Sequence, residues 1–173
     1  MTYNIRYDDQ NNNPESWSQR KEQVVGLLRY HRPDIIGTQE GLKHQLEYIQ
    51  DHLEGYERFG EGRRGGDEGE FSAILNRSDR FTVLRHQTFW LSDTPNGIGS
   101  KGWDVALQRI VAWGLLRDKQ TGNVSPLLKI QPVQQRHANA RFGSYFLDAG
   151  EMTPIGGIQH ILHVQRKGVE QAG

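Results

Sequence analysis

Asn4 and Glu40 are the first two residues whose type and placement point to chemistry. Asn4 lies in TYNI, a short β-prone stretch, and Glu40 ends DIIGTQE, an apolar run that stops abruptly at a carboxylate. An acid just past a buried strand is well placed to hold a hard cation at the rim of a sheet. Mg2+ takes oxygen ligands, keeps several waters and needs only one or two protein carboxylates. Asn4 can add a neutral oxygen without adding charge. Each residue also has a plainer reading. A carboxylate at position 40 favours the start of the helix expected over residues 41–53, and a strand-edge asparagine is a common turn former.

Two further residues are candidates. Glu70 precedes FSAIL and can orient a histidine. Arg109 precedes the apolar run IVAWGLL, where it can reach a phosphate or cover apolar surface with its stem. Arg63 and Arg64 lie in the glycine-rich EGRRGGDEGE, whose acids make solvated charge the simpler reading. GEGRRGG is not a phosphate loop, because it lacks the lysine and the following helix. His160 and His163 (HILH) are isolated, and the histidines show no metal-ligand spacing.

The elements that must position these residues follow from turn formers and periodicity. TYNI reads as a strand and DDQNNNPES as a loop. Ser16 and Gln19 have capping-box spacing, and Trp17, Val24, Leu28 and His31 share a face of the next helix, which Pro33 stops. DIIGTQ is a short buried strand. Leu42, Leu46, Ile49 and Leu53 then mark the core face of a second helix, closed by Gly55. YERFG and FSAIL read as strands, with a turn over Asn76 to Arg80. Phe81, Val83, Arg85, Gln87, Phe89 and Leu91 lie on one side of a long alternating strand. IVAWGLL is apolar throughout and is expected to be a central strand covered on both faces, followed by a hairpin turn at RDKQTG. Helices come early and strands late, so the class is α/β with a mixed or antiparallel sheet.

After Gly122 the character changes. Residues 123–173 carry 8 charged side chains in 51 positions, against 34 in the preceding 122, and none of the four tryptophans. NVSPLLKIQPVQQ follows the turn, with two prolines that suit neither a central strand nor a helix. The expected organisation is one domain segment over 1–122 and a tail of different kind over 123–173.

Lys plus Arg and Asp plus Glu both number 21 in 173 residues, so net charge gives no pull toward nucleic acid, and no basic stripe is evident. There is no cysteine, which excludes disulfides and thiolate metal sites. No stretch is long and apolar enough to span a bilayer. MTYNIRYDD lacks a basic and apolar leader, which makes a cytoplasmic location the expectation.

MTYNIRYD, RPDIIGTQE, GEFSAILNR, TFWLSDTP, SKGWDVALQRIVAW and LRDKQTG occur in this order over residues 1–122. This ordered series closely resembles a bacterial branch of the endonuclease/exonuclease/phosphatase superfamily, the group with deoxyribonuclease I-like folds. The resemblance implies a four-layer α/β sandwich, present here as an incomplete copy. It also implies metal-dependent hydrolysis of a phosphoester, most often a phosphodiester, with Mg2+ or Mn2+ as cofactor. Asn4 matches the asparagine that helps to position the metal, and Glu40 the glutamate that ligates it. Glu70 resembles the acid that pairs with a catalytic histidine, and Arg109 falls where a basic residue approaches the substrate phosphate. The substrate can be nucleic acid, an inositol phosphate or a sphingolipid headgroup.

The sequence departs from that pattern after Gly122. The NTHFDH-like strand, the GDFN-like motif and a C-terminal aspartate–histidine pair do not occur in residues 123–173. His137 lacks such a context, and Asp148 is followed by Ala149 and Gly150. A frameshift near codons 123–130 would produce such a tail. The expectation is a truncated, poorly ordered and poorly stable copy with little or no activity, or a non-catalytic binding remnant.

Overall fold

The computed structural model describes residues 1–10, 14–102, 105–130, 144–148 and 151–155. The chain divides into two units, Met1–Gln134 and Gln135–Gly173. The first unit opens with β1 (Thr2–Asn4), α1 (Trp17–His31), β2 (Ile35–Gln39) and α2 (Lys43–His52). Five strands follow: β3 (Tyr56–Phe59), β4 (Ile74–Arg77), β5 (Phe81–Trp90), β6 (Ile110–Asp118) and β7 (Val124–Ile130). They form a mixed four-stranded sheet in the order β1-β2-β4-β3 and an antiparallel sheet in the order β5-β6-β7. In the second unit, β8 (Ser144–Asp148) and β9 (Glu151–Ile155) make an antiparallel hairpin. The α/β class with mixed and antiparallel sheets is as expected from the sequence.

Alternation along the short strands sorts side chains onto two cores. Ile36, Ala73 and Leu75 point to the helices, where they meet Trp17, Val24, Val25 and Leu28 of α1 and Leu46 and Ile49 of α2. On the opposite face, Ile35, Phe59 and Ile74 meet Ala112 and Leu116 of β6 and Leu127 of β7. Helices, mixed sheet and antiparallel sheet are therefore three stacked layers. Gly114 permits the sheets to approach, since a Cβ there would lie 2.5 Å from Phe59 Cζ.

Several local expectations are corrected. Ser16 makes no capping bond from its side chain; its hydroxyl pairs with Ser18 at 2.9 Å, and Asp8 Oδ1 accepts from Trp17 N at 3.5 Å instead. His31 is exposed, while Val25 joins the buried face. In β5 the register shifts between Val83 and Arg85. That extra residue turns the strand over, so the His86 ring lies tilted against Phe59 at 5.2 Å and the single face through Leu91 does not form. The helix stop at Pro33 and the central position of β6 are as expected, whereas α2 closes at Leu53 (φ −113°) and Gly55 (φ +82°) serves the turn into β3.

The chain also continues as a strand past Gly122. β7 pairs with β6 over Val124 to Ile130, with Pro126 opposite Leu115. As an edge strand it tolerates a proline, since half of its N–H groups have no partner to lose. The expected poorly ordered tail is described only over 123–130, 144–148 and 151–155, all but Asn123 of them in strands; the rest of it, with His137, His160 and His163, lies outside the described residues.

β7 inserts Lys129 between the sheets at 7% exposure. Its stem fills the space over Gly37, where a Cβ would lie 2.8 Å from Lys129 Cδ, and its Nζ donates to Thr2 Oγ1 at 3.3 Å. Burial pushes the ammonium down to about 8 from 10.5. A group whose folded pKa is depressed in this way penalises the native state while it stays protonated. The Lys129 contribution to native stability is thus least favourable below about pH 8 and improves toward pH 10.5, by about 3 kcal/mol. Urea titrations across this range are expected to show that improvement, and Lys129→Met is expected to remove it and to be more stable at pH 7.

Candidate active site

β1 runs parallel to β2 with Asn4 opposite Gln39, so both strands release their chains at the same end of the sheet. β4 is antiparallel to β2, which brings Glu70 and Phe71 to that end; Phe71 N donates to Gly41 O at 2.8 Å. β3, antiparallel to β4, leaves there too, and Gly62 bridges Phe71 from the other side. Four separate segments therefore build one rim.

Asn4 and Glu40 meet on it. Asn4 Nδ2 donates to Glu40 Oε1 at 2.7 Å, and Tyr7 N donates to Oε2 at 3.3 Å. Asn4 Oδ1 in turn accepts from Arg6 N at 2.8 Å. Glu40 and Arg6 both adopt left-handed backbone, at φ +61° and +62°, a conformation that is costly without glycine. Each carboxylate oxygen has one neutral donor and keeps a free lone pair. That donor set fits a hard dication: one carboxylate, oriented by an amide and a backbone N–H, with no cation already paired to it in these contacts. Among the described residues no three His, Asp or Glu side chains gather around a common point.

Glu70 and Arg109 belong to a second cluster. Glu70 Oε1 pairs with Arg63 Nη1 at 2.8 Å, and both side chains are about 15% exposed. Arg109 lies close enough to feel both: burial lowers its pKa first, the Arg63 charge lowers it further and Glu70 opposes the change. Its Nε is buried without a hydrogen-bond partner among the described residues. Arg63 is thus no solvated loop charge. Its N–H donates to Glu70 O at 2.9 Å and its carbonyl accepts from Trp90 Nε1 at 2.7 Å. Two guanidiniums around one carboxylate leave a net positive charge suited to an oxyanion.

Some features of the rim had no signal in the sequence. Tyr7 contributes a backbone amide, which any residue but proline would supply. His44 Nε2 contacts Asp8 Oδ2 at 2.8 Å, although 36 residues separate them. A cleft of about 540 Å3 lies between the end of α1 and the start of β3, lined by Leu28, Arg32, Leu53, Tyr56 and Arg77, and shares no residue with the rim.

The profile of the Endonuclease/Exonuclease/phosphatase family matches residues 1–144. The chain belongs to this family. A family member from Bacteroides vulgatus superposes with TM-score 0.73 at 35% identity, covering 75% of this chain and 50% of that one. A mannosyl-6-phosphatase from Bacteroides thetaiotaomicron superposes with TM-score 0.69 at 40% identity, covering 73% and 48%. Another family protein from that organism gives TM-score 0.69 at 40% identity, covering 73% and 46%. The chain spans about half the length of the solved structures it matches. No curated protein matches it. The fold is that of the family's phosphoesterases, and no helix among the described residues is long and apolar enough to cross a membrane.

The Arg63–Glu70–Arg109 cluster predicts a sign pattern. Glu70→Gln removes the carboxylate that offsets the two guanidinium charges and is expected to destabilise the fold by about 2 kcal/mol. Adding Arg63→Met to Glu70→Gln is expected to recover part of that loss. A double-mutant cycle in urea measures the coupling.

Proposed function

We propose that this chain carries the metal-holding part of a phosphoester hydrolase site. Glu40 is the carboxylate ligand of Mg2+ or Mn2+, Asn4 sets the orientation of that carboxylate, and Arg109 receives the substrate phosphate. The observation that carries this reading is the Glu40 carboxylate itself, held at both oxygens by neutral donors in a left-handed backbone. When bound, the metal would neutralise charge developing on the phosphoryl and leaving oxygens. Arg109 and Arg63 add fixed positive charge for the non-bridging oxygens. Glu70 offsets part of their charge.

We read the substrate as a phosphomonoester of a sugar or polyol. The relative with 40% identity that is named a mannosyl-6-phosphatase supports this choice, and the neutral net charge offers nothing toward a nucleic acid. Inositol phosphates, sphingolipid headgroups and phosphodiesters remain the alternatives.

A water-activating aspartate and a histidine acid are needed for turnover. No GDFN-like or NTHFDH-like motif occurs in residues 123–173. No NTHFDH-like strand follows the RDKQTG turn, so the segment after Gly122 is read as arising from a frameshift that leaves a weakly active or inactive copy, with a non-catalytic binding remnant as the second reading. Reading the nucleotide sequence in the other two frames is expected to restore both motifs; their absence would refute the frameshift.

Metal binding tests the site directly. Mn2+ titration followed by electron paramagnetic resonance is expected to show one site, weakened at least tenfold by Glu40→Gln. Hydrolysis of mannose 6-phosphate and of a bis-aryl phosphodiester is expected to stay near background. Turnover that survives Glu40→Gln would defeat the assignment of Glu40.

A further inference from the structure

Gln45 is fully buried in the first turn of α2, alongside Leu46 and Ile49 on the core face. A buried amide among apolar neighbours is costly unless both of its ends are bonded. Here both are. Gln45 Oε1 accepts from Leu42 N at 2.9 Å, and Nε2 donates to Arg6 O at 2.9 Å. One side chain thus ties the segment that follows Glu40 to the segment that follows Asn4.

The second bond acts on a particular peptide. The Arg6 carbonyl and the Tyr7 N–H belong to the same planar unit. Gln45 holds its oxygen end, and Glu40 Oε2 receives its N–H end at 3.3 Å. Turning that plane about its neighbours breaks both bonds together. Arg6 sits in the left-handed region at φ +62°, so the plane is held against a backbone preference. The neighbouring His44 grips Asp8 one residue further along, at 2.8 Å, so two successive residues of α2 clamp this loop.

We propose that Gln45 is a positioning residue for the Glu40 carboxylate, acting through the Arg6–Tyr7 peptide plane. The inference rests on Glu40 being the metal ligand for its consequence, but its geometry is independent of the metal. A glutamine that only fills the core would affect stability throughout the domain. A positioning glutamine affects the aim of one N–H and, through it, the orientation of one carboxylate, as outer partners of metal ligands do.

The test uses the full chain with Gln45→Met, which keeps length and burial and removes both bonds. Amide hydrogen exchange is read by NMR at Tyr7 and, for comparison, at Leu28 and Ile49. Tyr7 is expected to exchange at least tenfold faster while the two core amides keep their rates. Mn2+ affinity, read by electron paramagnetic resonance, is expected to fall about tenfold. Should Gln45→Met fail to fold, Gln45→Asn retains a buried amide too short to span both partners and is expected to show the same pattern at smaller size. Equal acceleration at Tyr7, Leu28 and Ile49, or no change at Tyr7 in a folded variant, overturns the inference. Wild-type Mn2+ affinity that Glu40→Gln leaves unchanged refutes the ligand assignment instead, and the Tyr7 exchange rate still decides the positioning role.

Discussion

The parallel register of β1 against β2 is the constraint on which the rim depends. Had the two strands paired antiparallel, Asn4 and Glu40 would lie at opposite ends of the sheet. Parallel neighbours need a crossover, and α1 supplies it. Its buried face, Trp17, Val24, Val25 and Leu28, fixes the return path over the sheet. The first residue also joins the ladder: Gly37 N donates to Met1 O at 2.9 Å, and the Met1 ammonium donates to Ile35 O at 2.7 Å. Apolar burial by one helix thus sets the separation of two polar side chains that lie 36 residues apart.

The opposite face of the same sheet is less uniform. Near its middle, Gly114 against Phe59 is tight apolar packing. At β7 the contact is made by the stem of Lys129 over Gly37, and the backbone of β7 is held by Ser72 Oγ donating to Lys129 O at 3.0 Å. A lysine there joins the sheets only by burying its methylenes, with its ammonium reaching the edge at Thr2. The same residue both closes the interface and weakens it. This is where the composition of the sequence changes, and the packing changes with it.

Much of the fold was legible because it follows from periodicity. The two helices, the central β6 and the hairpin at RDKQTG were all marked by apolar spacing or turn formers. What periodicity cannot carry is a one-residue shift. The bulge after Val83 inverts the rest of β5 without any change in the alternating pattern. Pro126 misled for the opposite reason, since its cost depends on whether the strand is central or at an edge, and that is decided by topology. At the site, residue type and place left the plainer readings of Asn4 and Glu40 open, and it was the ordered motifs around them that singled the pair out. Arg63 was not legible, because a glycine-rich charged loop looks solvated until its backbone closes on Glu70.

The backbone itself gives a last argument about Glu40. Among the described residues four non-glycines have positive φ: Arg6, Gln10, Arg32 and Glu40. Arg32 is accounted for by the fold, since it ends α1 with its N–H on Leu28 O at 2.9 Å, as a left-handed helix cap does. Arg6 and Glu40 lie instead on the two strand ends that build the rim. A glycine at either position would adopt the same turn without strain, and this chain uses 20 glycines elsewhere. At position 40 a glycine would give up the carboxylate that Asn4 and Tyr7 hold. The strain, a conformational penalty of about 1–3 kcal/mol, is borne by a residue whose carboxylate Asn4 and Tyr7 hold. A helix-start carboxylate would need no such backbone, because the preceding residue of an ordinary helix is extended. The metal-ligand reading explains both the residue type and the conformation in which it is held.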